Sequence, residues 1–249
     1  MWRMEINIKR VAKMLAVALV LIAIVVFIRP PVLVRLVHRL EGKKTVEDRL
    51  EQYGPAARSR LASAFKDKGV DFPPKRLVFV GLKKDRTLQV YADQGDGDYR
   101  FIKTYPIVAA SGGLGPKLRE GDRQVPEGIY KIIFLNPNSL YHLSMRLDYP
   151  SSFDRKMAEK DGRKDLGEDI MIHGSDCSIG CLAMGDPASE ELFVLAADTG
   201  IENIKVILSP VDFRKAKLNK QGLKLPEWVD ELYGTVSREL KRLPLPDSQ

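Results

Sequence analysis

Thiols and imidazoles are scarce in this 249-residue chain, which has two cysteines and three histidines. Two cysteines cannot staple a disulfide scaffold, so folding must rest on burial of a core, which the 44% apolar content allows. No zinc-finger spacing, RNP-like aromatic run or clean basic recognition helix is present, and nucleic acid is set aside as a partner on that ground. Internal repeats and low-complexity segments are missing too. Charge is only modestly one-sided: a formal +7 attracts anionic lipid or acidic polymers without choosing between them.

Long apolar runs are equally few, and one is decisive. Residues 14–28 read MLAVALVLIAIVVFI without a polar side chain. With Val11 and Ala12 added while Lys13 snorkels, a helix of that length reaches roughly the hydrocarbon thickness of a thin bilayer. Arg3, Lys9, Arg10 and Lys13 precede it and favour a cytoplasmic N-terminus, although Arg29, Arg35, Arg39, Lys43 and Lys44 follow it. Arg29-Pro30-Pro31 stands where a cleavable signal would carry a small-x-small site. The expectation is an uncleaved single-pass signal anchor, with the rest of the chain outside the cytoplasm.

Beyond a short basic stretch, Val46, Leu50, Tyr53, Ala57, Leu61, Ala64 and Phe65 recur at helical spacing, predicting one or two amphipathic helices over 45–68. Asp71-Phe72-Pro73-Pro74 breaks them and marks a domain boundary. The character then changes to β-branched and aromatic runs, predicting strands over 76–80, 87–91, 100–110, 128–135, 141–147, 170–172 and 204–208. The aspartates of 94–98 lack EF-hand ligand order, so that stretch is read as a hairpin turn. Helices are predicted over 153–159, 187–197 and 228–240. The domain plan is a tip and anchor over 1–29, a juxtamembrane helical segment over 30–74, a mainly β catalytic domain over 75–212, and a basic tail with a helix over 213–249.

The chemistry is concentrated in residues 172–184, IHGSDCSIGCLAM. A thiol is a strong nucleophile only as thiolate, which requires a neighbouring base or an electropositive pocket. His173, eight positions before Cys181 at a strand end, can fold back as that base. Asp169, Asp176 or the Gly174 carbonyl would orient it. Gly180 permits a tight turn whose backbone N–H groups suit a developing oxyanion. The competing readings are a buried structural cysteine, a Cys177–Cys181 disulfide, and a zinc site from His173, Cys177 and Cys181 with His38 or His142 as a remote fourth ligand.

This segment resembles the signature of the L,D-transpeptidase catalytic domain (the YkuD fold), with Ile179 in place of a usual histidine and Ala183 in place of a usual arginine. Ser-x-Gly-Cys-x-Ala-Met is similar to the YafK branch of that family. So are the stretch from Gly115 to Tyr130, with its Gly121-Asp122-Arg123 and Pro126-Glu127-Gly128, and YHLSMRLDYP over 141–150. The resemblance covers roughly residues 76–210. It implies a YkuD-like β-sandwich and attack by Cys181 on the diaminoacid carbonyl of a peptidoglycan stem peptide. Terminal D-alanine then leaves, and the thioester passes to an amine or to water. By position it implies Cys181 as nucleophile, His173 as base, Gly174 as the residue orienting it, Ser178 as the motif serine, and N–H groups of Gly180 and Cys181 for the oxyanion. Tyr141, His142, Arg146 and Lys117 are the candidates to replace the missing substrate contacts. No metal or organic cofactor is implied, and the anchor would place the domain in the periplasm, on the inner membrane. The alternatives are an L,D-endopeptidase releasing wall-linked lipoprotein or peptides, and a non-enzymatic wall-binding module. A low-pKa, reactive thiol is expected at Cys181.

Overall fold

Thr45 starts the first helix by a reciprocal cap: its Oγ1 accepts the Asp48 N–H at 3.1 Å while the Asp48 carboxylate accepts the Thr45 N–H at 2.7 Å. Helix α1 then runs unbroken over Val46–Asp67 and buries the stripe Gly54, Ala57, Leu61 and Phe65. The structure, a computed structural model, describes residues 42–246. Everything discussed below lies in the unit that begins at Lys44. The expected membrane span over 14–28 falls outside the described residues. Among those described, no helix is long and apolar enough to cross a membrane.

Eight strands follow: β1 (Arg76–Leu82), β2 (Thr87–Asp93), β3 (Arg100–Pro106), β4 (Gly128–Ser139), β5 (His142–Leu147), β6 (Met171–His173), β7 (Leu182–Ala183) and β8 (Ile204–Ser209). They form one mixed sheet in the order β3-β2-β1-β8-β4-β5-β6-β7, with β1/β8 and β6/β7 parallel. The twelve-residue β4 pairs with β8 through Gly128 to Lys131 and with β5 from Ile132 onward, so one strand belongs to both halves. The expected β-sandwich is therefore realised as a single eight-stranded sheet whose halves share β4. As expected, 94–98 is a turn: Asp93 Oδ1 accepts the N–H groups of Gly95 and Gly97.

Alternation along β1 divides the core. Leu77 and Phe79 join β2, β4, β5, β6, α1 and α3 (Asp186–Thr199) in one apolar cluster. Val78, Val80 and Leu82 face α2 (Ser152–Lys160) and α4 (Val229–Leu240) in another. A strand covered on both faces reads as a near-continuous apolar run, which is how RLVFVGL reads. The stretch expected as a basic tail is thus part of the domain. Trp228, Val229, Leu232, Tyr233, Val236 and Leu240 are all buried against the sheet.

A buried polar knot ties α4 to the loop that approaches the site. Glu127 accepts from Tyr233 at 2.6 Å and from the Gly115 N–H at 2.7 Å, and pairs with Lys83 at 3.0 Å. Lys83 also donates to the carbonyls of Gly115 and Val125. Burial pulls its ammonium below its ordinary pKa against the opposing charge of Glu127.

Candidate active site

Strand β6 delivers His173, and register decides what surrounds it. Across antiparallel β5 it faces Ser144; across parallel β7 it faces Ala183. Ile172 pairs with Leu182, Cys181 immediately precedes β7, and the Met171 N–H bonds to its thiol. Sequence places His173 and Cys181 eight residues apart; the parallel β6/β7 pair brings them together.

The tautomer of His173 follows from its partner. Nδ1 lies 2.6 Å from the Gly174 carbonyl oxygen. A carbonyl only accepts, so Nδ1 carries the proton and Nε2 of the neutral ring is left with its lone pair. Burial lowers the His173 pKa, opposed by this hydrogen bond. Of the orienters considered, the backbone of Gly174 fills the role; Asp176 is exposed and Asp169 serves the thiol. The ring of Tyr141 covers His173, with centroids 4.9 Å apart and planes inclined by 38°.

Cys181 Sγ donates to the Asp169 carbonyl at 3.6 Å. Burial raises its pKa and the Asp169 charge adds to that. The Met171 N–H and Lys117 pull the other way and do not prevail. The expected low-pKa thiol is therefore corrected. In this resting arrangement thiol and imidazole are both neutral, because the low dielectric disfavours both charged forms. Both cysteines are free. Among the described residues, no group of three or more His, Cys, Asp or Glu side chains is arranged to hold a metal.

The loop that carries Cys181 is held by serines. Ser178 Oγ donates to the Cys181 carbonyl at 2.6 Å and accepts the Cys181 N–H at 3.1 Å, so it shapes the turn and makes no bond to the thiol. The Gly180 N–H, at φ +100, donates to Ser111 Oγ at 2.6 Å, and that hydroxyl donates onward to the Arg123 carbonyl. The two N–H groups expected to be open for an oxyanion are thus capped by hydroxyls. Ser111 escaped sequence reading; its one signal is Ser-Gly-Gly immediately after the run over 100–110. Gln124 escaped as well, and its side-chain amide laces the backbone of Gly113 and Gly115.

The four expected substrate contacts separate. Tyr141 reaches the site. Arg146 lies on β5 opposite Met171. Its Nη2 donates to Glu168 at 3.4 Å, and its Nε lies 3.1 Å from Asp169 Oδ1 without hydrogen-bond alignment. Lys117 is buried and committed to the Arg119 carbonyl and to Asp122 at 2.6 Å, where it organises a loop. Burial works to raise the Asp122 pKa, but Lys117 and three backbone N–H donors overcome it and hold the carboxyl below its usual value. His142 turns away from the thiol: its Nε2 lies 3.1 Å from Glu190 and its ring meets Tyr53 edge-on at 5.0 Å. Ile179 is 75% exposed, whereas Ala183 is fully buried and bonded through its backbone to Val108 and Ala109.

Comparison with known proteins adds to this geometry. The chain is 33% identical to YafK of Escherichia coli strains K12 and O157:H7 over 159 residues, spanning 61% of its own length and 61% of theirs. Among solved structures, the helical cell shape determining protein Pgp2 from Campylobacter jejuni is 22% identical with a TM-score of 0.45, over 55% of this chain and 48% of that one. Mycobacterium tuberculosis L,D-transpeptidase 1 is 16% identical with a TM-score of 0.32, over 54% and 62%. The model of the L,D-transpeptidase catalytic domain matches residues 75–207, a span that holds every strand but the end of β8 together with the His173–Cys181 pair, and the chain belongs to that family.

Proposed function

We propose that this protein is a peptidoglycan-modifying cysteine acyltransferase acting on stem peptides through Cys181 and His173. The observation that supports the reading is the parallel register that pairs His173 with Ala183, two residues after Cys181, together with Nδ1 of His173 held by the Gly174 carbonyl. As the Cys181 thiol attacks the diaminoacid carbonyl, its proton passes to His173 Nε2 and a C–S bond forms. The tetrahedral oxyanion takes N–H donors from the Gly180–Cys181 turn once the Ser111 and Ser178 hydroxyls rotate aside. Collapse breaks the C–N bond, and Nε2–H supplies the proton that the departing D-alanine amine needs. An acceptor amine then attacks the thioester, loses its proton to Nε2 and expels the thiolate, which is reprotonated.

Both reacting groups start neutral, so the base works during attack rather than by holding a standing thiolate. Tyr141 and Arg146 flank the reacting pair and serve as substrate contacts; Arg146 becomes available when its exposed pair with Glu168 opens. An N-terminal anchor in the inner membrane, with this domain in the periplasm, gives access to the wall and is part of the same reading. Water in place of the acceptor amine would make the same site an L,D-endopeptidase.

The test is to incubate the purified full-length chain with muropeptides and separate the products by mass. New crosslinks or exchanged D-amino acids, lost in Cys181→Ala, support the transferase. Shortened or released peptides alone replace it with the hydrolase. Product formation that survives Cys181→Ala, or none from the native chain, overturns cysteine catalysis.

A further inference from the structure

Helix α1 lies outside the matched domain, yet it holds the hairpin whose Tyr141 packs on His173. The β4–β5 connection forms a hairpin tip, 137–142, held by two residues of α1 and by Lys44 just before it. The Lys44 N–H donates to Asn138 Oδ1 at 2.9 Å, and the Asn138 amide donates back to the Lys44 carbonyl at 2.7 Å. Arg49 Nε donates to the Pro137 carbonyl at 2.9 Å. Tyr53 packs edge-on against His142. Farther along, Arg60 pairs with Glu190 at 3.1 Å, and Glu190 is the partner of His142 Nε2.

The tip grips the His173–Gly174 unit from two sides. Tyr141 lies on the imidazole. His142 backs the main chain so closely that a Cβ placed on Gly174 would sit 2.9 Å from His142 Cβ. The Gly174 N–H is bonded to the Leu143 carbonyl at 3.1 Å, directly beyond the tip. His142 holds a φ of +70, an uncommon conformation that histidine tolerates better than most side chains.

We propose that α1 is a working part of the active site, and that His142 is a positioning residue acting through Gly174 on His173. The inference rests on the assignment of His173 as base. Glu190 and Tyr53 hold the His142 ring, the ring holds the tip, and the tip sets the carbonyl that fixes the His173 tautomer. A small displacement of a base from its working geometry lowers rate steeply, roughly a hundredfold for 1 Å. The charged and titratable groups facing this relay are Arg49, Tyr53 and Arg60 from α1 and Asp186 and Glu190 from α3; Asp169 and Lys117 face the thiol.

The test follows kcat/KM on muropeptides against pH in the full-length chain, whose acid limb reports the protonation of His173. Three changes are compared: His173→Ala, His142→Asn and Tyr53→Leu. Asparagine is chosen because it tolerates positive φ, so the backbone is kept while the reach to Glu190 is lost. His173→Ala must change the profile; if it does not, the base assignment fails and this inference goes with it. Given that change, His142→Asn and Tyr53→Leu are each expected to move the profile in the same direction. A half-unit displacement of the acid limb corresponds to about a threefold change in kcat/KM on that limb. Thermal melts run alongside. Profiles that stay superimposed on the control, whether or not the melting temperature falls, mean that α1 supports the fold alone and overturn the proposal.

Discussion

Replacing Gly174 with alanine inserts a methyl group into a space that is already full. The new Cβ would stand 2.8 Å from Asp186 Oδ1, 2.8 Å from Ser189 Oγ and 2.9 Å from His142 Cβ, all closer than real Cβ contacts allow. The backbone of Gly174 is in an ordinary region, so the cost is steric overlap and not a forbidden φ. None of the three neighbours is a loose end. Asp186 Oδ1 accepts the Ser175 N–H at 2.7 Å, Ser189 Oγ donates to the Asp186 carbonyl at 2.9 Å, and His142 is tied to Glu190. Overpacking of this kind costs about 1–3 kcal/mol. Taking ~2 kcal/mol, a domain of this size loses about 4–8 °C in melting temperature. The same overlap displaces the carbonyl that accepts from His173 Nδ1, so kcat/KM on muropeptides should fall by roughly 10- to 100-fold. Circular-dichroism melts and product assays on the full-length chain measure both effects. Adding Ser189→Ala removes one of the colliding atoms and should restore part of the stability, a coupling that additive effects would not give. An unchanged melting temperature with unchanged turnover in Gly174→Ala would refute the packing argument.

Two further outcomes follow from burial. Because burial lowers the His173 pKa below the ordinary 6.5, the base stays unprotonated on moderate acidification, and the acid limb of kcat/KM should lie below pH 6.5; a limb above that value contradicts the site's electrostatics. The sign for stability agrees: below pH 6.5 the unfolded histidine takes up a proton that the folded one resists, so this group's contribution is present above 6.5 and is lost as pH falls through the folded pKa. Leu240→Ala, at a fully buried position of α4, should cost about 2–5 kcal/mol in denaturant unfolding; a cost under ~0.5 kcal/mol would mean that α4 is an appendage after all.

Much of the local structure was legible because its signals are local. Strands β1, β2 and β8 announce themselves by β-branched and apolar runs, and α1 by its periodic stripe. The turn after Asp93 is carried by Gly95 and Gly97. Two-residue β7 carries no such signal, since Leu182 and Ala183 suit either state until β6 and Ala109 pair with them. The burial of α4 was hidden because its apolar stripe marks an amphipathic helix without saying what covers it, while the basic residues of 213–249 lie mostly outside the helix.

Within the site, residue chemistry and spacing along the chain made Cys181, His173 and Gly174 candidates, because this chain has few thiols and imidazoles, and the family resemblance set that reading above a disulfide or a zinc site. Their electrostatics were not readable in the same way. Whether a thiol beside a histidine is ionised depends on how much water surrounds it, and here burial outweighs the favourable neighbours. Roles also moved once distant segments met. Lys117 organises a loop, His142 backs Gly174 on behalf of α1, and Ser111 caps an N–H sixty-nine residues away. Sequence by itself determined which chemical groups this protein has to work with. Only the tertiary structure decided which of them face one another, in what protonation state, and which are occupied in holding the rest in place, because pairing register and desolvation are properties of the assembled sheet.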